Sequence, residues 1–207
     1  LIDLLDATHT GMTEAEFHES VATWTDTAKY EHFNKKYIEV VYQPMIELLD
    51  LLRENDFKNF IVSGGGADFM RVWTEGAYGI PPNQVIGSYG DLKYEVVDGK
   101  PEITKVAGDL FVDDKDGKPQ AIHRFIGKVP VFCGGNSDGD QAMMQYTDGS
   151  VYNALCVYIN HTDAEREFLY DDKSSGKLET GLVEAKEKDW MVVDMKNDWK
   201  KVFAFDN

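Results

Sequence analysis

Three short polar segments contain the residue types that could do chemistry, and each follows an apolar stretch typical of a buried strand. The first, Ser63-Gly64-Gly65-Gly66, comes directly after residues 60–62, Phe-Ile-Val. Its hydroxyl and its unobstructed backbone N–H groups could surround the oxygens of a phosphate. A tight turn that requires positive φ explains a glycine cluster equally well. This segment therefore indicates either an anion site or a turn.

The second segment, Gly-Gly-Asn-Ser-Asp-Gly-Asp at 134–140, follows the apolar run VPVFC. It places two carboxylates, an amide and a hydroxyl among three glycines. Oxygen ligands of this kind suit a hard cation such as Mg²⁺, which needs few protein ligands and keeps water or substrate oxygens for the rest. The alternative is a turn that caps the next helix.

The third segment, Asn-His-Thr-Asp at 160–163, follows the apolar run LCVYI and forms a candidate substrate loop through His161 and Asp163. Two simpler interpretations stay open. Asp163 could cap a following helix, and a single histidine in a loop is often a solvated residue.

The elements around these segments alternate between helix and strand. Thr13 and Glu16 form a capping-box pattern that predicts a helix over 13–30, and a second helix is predicted from Pro44 to Asn55. Alternating residues around Asp98-Gly99 predict a hairpin. Further strands are predicted at 57–62, 129–133, 155–159 and 191–193, and further helices at 119–126, through 143–144, near 163 and at 178–188. This alternation predicts an α/β protein with a parallel sheet, whose ligands bind beyond the carboxyl ends of the strands.

Composition limits the classes of partner. The chain has 207 residues and a formal net charge of -16, from 37 acidic and 21 basic residues, which argues against a nucleic-acid partner but allows a small anionic substrate. Cys133 and Cys156 lie in apolar runs and are predicted to be buried thiols. No stretch approaches the ~20 apolar residues of a membrane span. The sequence, which starts at Leu1, indicates neither a localisation nor an oligomeric state.

In order and spacing, these motifs resemble the haloacid dehalogenase (HAD) superfamily of phosphohydrolases, most closely its phosphoserine-phosphatase-like branch. The resemblance starts at about residue 15 and is carried by residues 44–70, the hairpin KYEVVDGKPEI, the segment GKPQAIHRFIG and the loop GNSDGDQAMM. It implies a Rossmann-like parallel sheet flanked by helices, with a β-hairpin insertion at about 84–107. Residues 43–207 would form this core, and residues 1–42 would be the remainder of a helical cap.

The resemblance also implies roles for individual residues. Ser63 Oγ and the Gly64 N–H would bind phosphoryl oxygens, and Lys118 would neutralise phosphate charge in the transition state. Asn136 would ligate Mg²⁺, and Asp140 would orient the lysine or the water molecules of the metal. Asn136 departs from the family, which usually has an aspartate there, so a lower metal affinity is expected. Lys128 is a weaker candidate for the lysine role because it precedes a strand.

The nucleophile of the family, the first residue of an Asp-x-Asp motif after a strand, has no counterpart in residues 1–60. Asp114-Lys115-Asp116 is the one later candidate, but motif order counts against it and a charged turn explains it. We therefore expect this chain to be a carboxy-terminal portion of a longer protein whose nucleophile lies upstream of Leu1.

The expected function is that of a Mg²⁺-dependent phosphomonoester hydrolase that acts on a small phosphorylated substrate through an aspartyl-phosphate. A non-catalytic phosphate-binding protein of the same fold and a phosphotransferase to an alcohol are the alternatives.

Overall fold

A computed structural model of the chain describes residues 9–169 and 176–206. The helices are α1 (Glu14–Thr27), α2 (Gln43–Glu54), α3 (Ala67–Arg71), α4 (Thr74–Tyr78), α5 (Gly117–Phe125), α6 (Gln141–Asp148), α7 (Thr180–Lys188) and α8 (Met195–Asp198). The strands are β1 (Lys29–Tyr30), β2 (Lys35–Lys36), β3 (Ile61–Gly66), β4 (Val85–Ser88), β5 (Leu92–Val97), β6 (Lys100–Lys105), β7 (Phe132–Gly135), β8 (Leu155–Asn160) and β9 (Met191–Asp194). The protein is thus mixed α/β, with small parallel sheets flanked by helices, which confirms the predicted class.

Two compact units make up the structure. Unit 1 contains residues 9–41 and Asn55–Asp113, and unit 2 contains Tyr42–Glu54 together with residues 114–169 and 176–206. The assignment of residues 1–42 to a cap and 43–207 to a core stays a prediction. Among the described residues, no helix has both the length and the apolar character that crossing a bilayer requires.

In unit 1, the predicted cap of α1 is confirmed. The Thr13 hydroxyl accepts from the Glu16 N–H at 3.2 Å, and the Glu16 carboxylate accepts from the Thr13 N–H at 2.9 Å. These two bonds satisfy amides that the first turn of a helix leaves without partners. Phe17 and Val21 are buried on the predicted face, whereas Trp24 is 44% exposed.

The parallel pair β3–β4 differs from the sequence prediction. The strand expected at 57–62 begins at Ile61 and runs through the glycines to Gly66, and β4 is separate from the predicted hairpin. The cause is pairing with β4, which sets Ile61 opposite Val85 and Ser63 opposite Gly87. The residues of β3 alone could not predict these limits, because they depend on a strand that is distant in the sequence.

The hairpin β5–β6 turns at Asp98 and Gly99, whose φ angles of 51° and 79° suit a two-residue hairpin loop. The predicted hairpin is confirmed. Its residues Leu92, Tyr94 and Val96 are each more than half exposed.

In unit 2, β7, β8 and β9 form a parallel sheet in that order. Cys133 lies opposite Cys156, and both are buried free thiols, as predicted. A hydrogen bond with Cys156, together with burial, raises the pKa of the Cys133 thiol. The predicted strand at 129–133 is displaced to Phe132–Gly135, again because pairing with β8 sets its limits.

The prediction of a helix near Asp163 is wrong. Residues 164–166 form a turn, and the Glu167 N–H donates to the Asp163 carbonyl at 3.1 Å, which closes a single helical turn. The Asp163 carboxylate accepts from the amides of Glu165 and Arg166 as a helix cap would. The capping chemistry is therefore present, but no helix propagates from it.

Candidate functional site

In unit 1, the candidate phosphate loop is organised by its own serine. The Ser63 hydroxyl accepts from the Gly65 N–H at 3.1 Å, and the Gly64 carbonyl accepts from Ser88 Oγ at 2.8 Å. Gly64, Gly65 and Gly66 are exposed. The segment is therefore the irregular end of β3, with a register shift between Ser63 and Gly66 and an accessible backbone. None of its three glycines has a positive φ, so the tight turn that requires positive φ is absent, while the anion site stays a prediction.

Sequence reasoning missed Asp113, a buried carboxylate that contacts β3 at Ser63. Its side chain is 0% exposed, its Oδ2 accepts from the Ser63 N–H at 3.1 Å, and its own N–H donates to Ser88 Oγ at 2.9 Å. The residue precedes the Asp114-Lys115-Asp116 candidate, and only its position directly after the apolar pair Phe111-Val112 could have suggested burial. Asp113 thus holds the backbone of β3 at Ser63.

In unit 2, Lys118 and Asp140 form a buried ion pair. Lys118 lies in the first turn of α5, and its Nζ is 3.3 Å from Asp140 Oδ1. The two side chains are 6% and 10% exposed. A charge buried to this degree requires a partner, because removing a lone ammonium or carboxylate from water costs roughly several kcal/mol in a protein.

The other oxygen of Asp140 closes the loop at 136–140. Asp140 Oδ2 accepts from the Asn136 N–H at 2.9 Å and the Ser137 N–H at 3.1 Å. Gly135 makes this approach possible, since a Cβ at that position would lie 2.6–2.7 Å from atoms of the Asp140 side chain. Asp140 thus connects the lysine to the backbone of the loop.

Asp138 connects the same loop to α7. Its Oδ1 accepts from the amides of Glu179 and Gly181, each at 2.9 Å. Burial raises the pKa of Asp138, but hydrogen bonds from Gly181, Glu179 and Thr180 outweigh burial and lower it below its usual value. The carboxylate is therefore a helix cap supplied from a distant part of the chain.

The Asp114-Lys115-Asp116 segment is a turn against this loop. The Lys115 N–H donates to the Gly139 carbonyl at 3.1 Å, and the Gly117 N–H donates to the Asp114 carbonyl at 2.8 Å. Asp114 and Asp116 are exposed. This arrangement favours the charged-turn interpretation of the segment and positions Lys118 at the start of α5.

Asn136 contacts a buried histidine that is held by a carboxylate. The Asn136 Nδ2 atom lies 3.4 Å from His161 Nε2, and His161 Nδ1 lies 2.8 Å from Glu167 Oε2. The Tyr42 hydroxyl donates to Glu167 Oε1 at 3.1 Å. His161 is 3% exposed, so it is not the solvated loop residue considered above. Sequence reasoning missed Tyr42 and Glu167, for which no local signal exists.

Asp163, the other residue of the candidate substrate loop, is also internal. It is 2% exposed and its carboxylate lies 2.5 Å from Arg166 Nε. Burial raises the pKa of Asp163, but hydrogen bonds from the backbone and side chain of Arg166 and from the Glu165 N–H lower it overall. The contact of His161 or Asp163 with a substrate stays a prediction.

Oxygen atoms of Asn136 and Asp140 are the candidate ligands for a hard cation at this loop. Within residues 9–169 and 176–206, no group of three or more His, Cys, Asp or Glu side chains is arranged to hold a metal ion. Asn136 has one amide oxygen, whereas Asp140 Oδ2 already accepts from the Asn136 N–H, the Ser137 N–H and the Ser137 hydroxyl, and Asp140 Oδ1 faces Lys118 Nζ. Mg²⁺ binds through few protein oxygens and keeps several waters, and its binding at this loop stays a prediction.

The structure brings Lys118, Asn136 and Asp140 together in unit 2, whereas Ser63 and Gly64 belong to unit 1. The convergence of the two sets around one ligand stays a prediction. No model of a known protein family matches the chain, and a comparison with curated proteins finds no match either.

Proposed function

We propose that this protein is a Mg²⁺-dependent phosphomonoester hydrolase of the HAD superfamily, with a Rossmann-like core. The observation that carries the proposal is the buried Lys118–Asp140 ion pair, whose carboxylate also accepts hydrogen bonds from the Asn136 and Ser137 amides. A rigid, desolvated ammonium is well suited to stabilise charge that develops on a phosphoryl group. The motifs that resemble the superfamily place a lysine and an aspartate of this kind in those roles.

In the proposed mechanism, Ser63 Oγ and the Gly64 N–H bind the phosphoryl oxygens, and Lys118 neutralises their charge. Asn136 and Asp140 would hold the cation, which supplies further positive charge when bound. Because an amide oxygen carries no formal charge, Asn136 should bind the cation less tightly than an aspartate would. His161 and Asp163 would lie on the substrate side of the loop after β8.

The proposed reaction also needs two aspartates. One carboxylate attacks phosphorus in line and forms an aspartyl-phosphate, while the second protonates the departing alkoxide and then deprotonates the water that releases phosphate. The superfamily supplies both from an Asp-x-Asp motif ahead of the cap. Residues 1–60 contain no such motif, and the test is made on the full-length protein.

The test is phosphate release from p-nitrophenyl phosphate. We expect release to stop on addition of EDTA, to return with excess Mg²⁺, and to fall by roughly 10²–10³-fold in Ser63→Ala and in Lys118→Ala. Lys128→Ala is the matched control, because this lysine is exposed and near in sequence. Circular dichroism establishes that each variant is folded. Full activity in folded Lys118→Ala would contradict the assigned roles.

A non-catalytic phosphate-binding protein is the second candidate, and Asn136 favours it, because an amide replaces the charged ligand expected at that position. Calorimetric titration with inorganic phosphate separates the two candidates. Binding without turnover by the intact gene product indicates the binding protein. If turnover occurs in glycerol and yields a phosphorylated alcohol instead of free phosphate, the protein is a phosphotransferase.

A further inference from the structure

The hairpin β5–β6 of unit 1 has an apolar face that the described residues leave open. Leu92, Tyr94 and Val96 are 52%, 65% and 60% exposed, and Ile103, which lies opposite Tyr94, is 42% exposed. A two-stranded hairpin is marginally stable alone, and an exposed apolar edge strand is a template for pairing with another chain. We propose that β5 pairs antiparallel with β5 of a second copy of this chain, around a two-fold axis at Tyr94. This interaction surface is independent of the proposed function.

The outer edge of β5 has main-chain groups that can form this pairing. The Lys105 N–H donates to the Met12 carbonyl at 2.9 Å, and the Lys105 carbonyl accepts from the Gly11 N–H at 2.8 Å. The main chain of Lys105 therefore points away from Leu92, its partner in the hairpin. Every second residue of an antiparallel strand has the same direction. The residues of β5 that face outward in this way are Leu92, Tyr94 and Val96. Within residues 9–169 and 176–206, β5 pairs with β6 alone.

Charge selects the register of the pairing. Outward residues must lie opposite outward residues, so a two-fold axis near the middle of β5 passes through Lys93, Tyr94 or Glu95. An axis at Lys93 sets two lysines opposite each other, and an axis at Glu95 sets two glutamates opposite each other. The axis at Tyr94 sets Lys93 opposite Glu95 of the partner subunit, and symmetry repeats this pair. Opposite charges stabilise a cross-strand pair and like charges destabilise it. Axes closer to the ends of β5 pair fewer residues.

The side chains of β5 are accessible for these contacts. Lys93 Nζ lies 2.7 Å from Glu95 Oε1 in the same strand, and the two side chains are 56% and 45% exposed. An ion pair this exposed contributes little to stability, so exchanging it for a pair between copies costs little. On the other face, Leu92 would lie beside Val96 of the partner subunit. Directly opposite residues have Cβ atoms about 4.5–5.5 Å apart, which brings these apolar side chains into contact.

The hairpin is also a neutral part of an acidic chain. Its lysines equal its acids in number: they are Lys93, Lys100 and Lys105, against Glu95, Asp98 and Glu102. Two copies of a chain with a formal charge of -16 repel each other, and a neutral contact surface reduces that repulsion. A lysine on an edge strand usually prevents pairing. Here the glutamate of the second copy removes that barrier. The contact is smaller than a standard interface, so we expect dissociation in the micromolar range.

The test is analytical ultracentrifugation of the protein over a range of concentrations. Lys93→Glu and Glu95→Lys each set like charges opposite each other, so each should raise the dimer dissociation constant by about 10-fold or more. Glu95→Lys also brings the net charge closer to zero, so general repulsion alone predicts the opposite effect. An equal mixture of the two variants should dimerise again, because every pair then joins a glutamate to a lysine. The double variant should dimerise like the wild type.

The matched control is Lys100→Glu, which makes the same change of charge on β6, away from the new edge. It should change the dissociation constant by less than about threefold. Val96→Pro is a second variant. It removes an outward N–H but no hydrogen bond of the hairpin, so the folded variant should lose dimerisation. Circular dichroism establishes that each variant is folded.

Three outcomes would overturn the inference. The wild type could stay monomeric well above micromolar concentrations, or its dimer could persist unchanged in Val96→Pro. The mixture of Lys93→Glu and Glu95→Lys could also stay monomeric, which would mean that the single variants only destabilise the hairpin.

Discussion

Single carboxylates in this protein differ in role because their surroundings differ. Asp140 neutralises a buried lysine and closes a loop, whereas Asp138, two positions earlier, caps a helix some forty residues away. Asp163 holds the side chain of Arg166, whose guanidinium also donates to the Met195 carbonyl at 3.1 Å and the Trp199 carbonyl at 2.9 Å. The functional consequence of an acid therefore depends on the donors that surround it.

Asp163 should contribute to acid sensitivity. Its folded-state pKa is lowered, so its stabilising contribution is complete above the unfolded-state value of about 3.9 and is lost as pH falls from there through the folded-state pKa. We expect the difference in the free energy of unfolding between wild type and Asp163→Asn to be constant from pH 5 to 7. It should shrink below about pH 4. Urea titrations across this range measure it.

The control for this prediction is Asp148→Asn, which alters an exposed carboxylate in the same unit. Its difference from wild type should be small at every pH. A wild-type-to-Asp163→Asn difference that grows on acidification would contradict the sign derived above.

At the scale of elements, what could be predicted depends on whether the deciding interactions are local. The cap of α1 and the turn at Asp98-Gly99 were predicted correctly, because both depend on residues at most three apart. The limits of β3 and β7 were wrong, because pairing with β4 and β8 determines them. The same distinction applies to the candidate site. Its polar, glycine-rich loops could be recognised from local sequence, whereas the Glu167–His161–Asn136 contacts join residues that only the fold brings together.

The close packing of β4 against β3 leaves no room for a side chain at Gly87. A Cβ at this position would lie 2.5 Å from the Gly65 carbonyl oxygen and 3.0 Å from the Ala67 nitrogen, both backbone atoms that cannot easily move. We expect Gly87→Ala to lower the free energy of unfolding by about 1–3 kcal/mol, as overpacking typically does. Chemical denaturation provides the measurement.

Gly76→Ala is the matched control for Gly87→Ala. Gly76 lies inside α4, and a Cβ there would meet no atom within 4 Å. Replacing a helical glycine by alanine should raise the free energy of unfolding by roughly 0.5–1 kcal/mol. Equal effects of the two substitutions would exclude the close approach of β4 to the glycine-rich end of β3.

At the scale of the whole molecule, negative charge is the dominant property. The formal charge of -16 implies mutual repulsion that opposes compactness, and it also disfavours polyanionic partners. A buried cation such as Lys118 is therefore a local exception within an acidic protein. If the proposed function is correct, a phosphorylated substrate has to approach that cation against the repulsion of the surrounding acids.

Salt should stabilise the protein by screening this repulsion. Raising NaCl from about 10 mM to about 150 mM shortens the screening length from roughly 30 Å to 8 Å. At pH 7.5 we expect the thermal midpoint to rise, by roughly 2–4 °C for each kcal/mol gained. Differential scanning calorimetry measures the shift.

The control for the salt effect is a second series at pH 5, close to the sequence isoelectric point of about 4.6. With little net charge left to screen, the midpoint should be nearly independent of NaCl. A salt response of the same size at both pH values would show that repulsion between carboxylates is not its cause.

The cap that Asp138 provides for α7 ties the accessibility of two amide hydrogens to a loop that is remote in sequence. The N–H groups of Glu179 and Gly181 donate to this carboxylate. Deuterium can replace those hydrogens only when the 136–140 loop releases them. The exchange rates of these two amides therefore report how often the 136–140 loop opens, and they can be measured without substrate, metal or turnover.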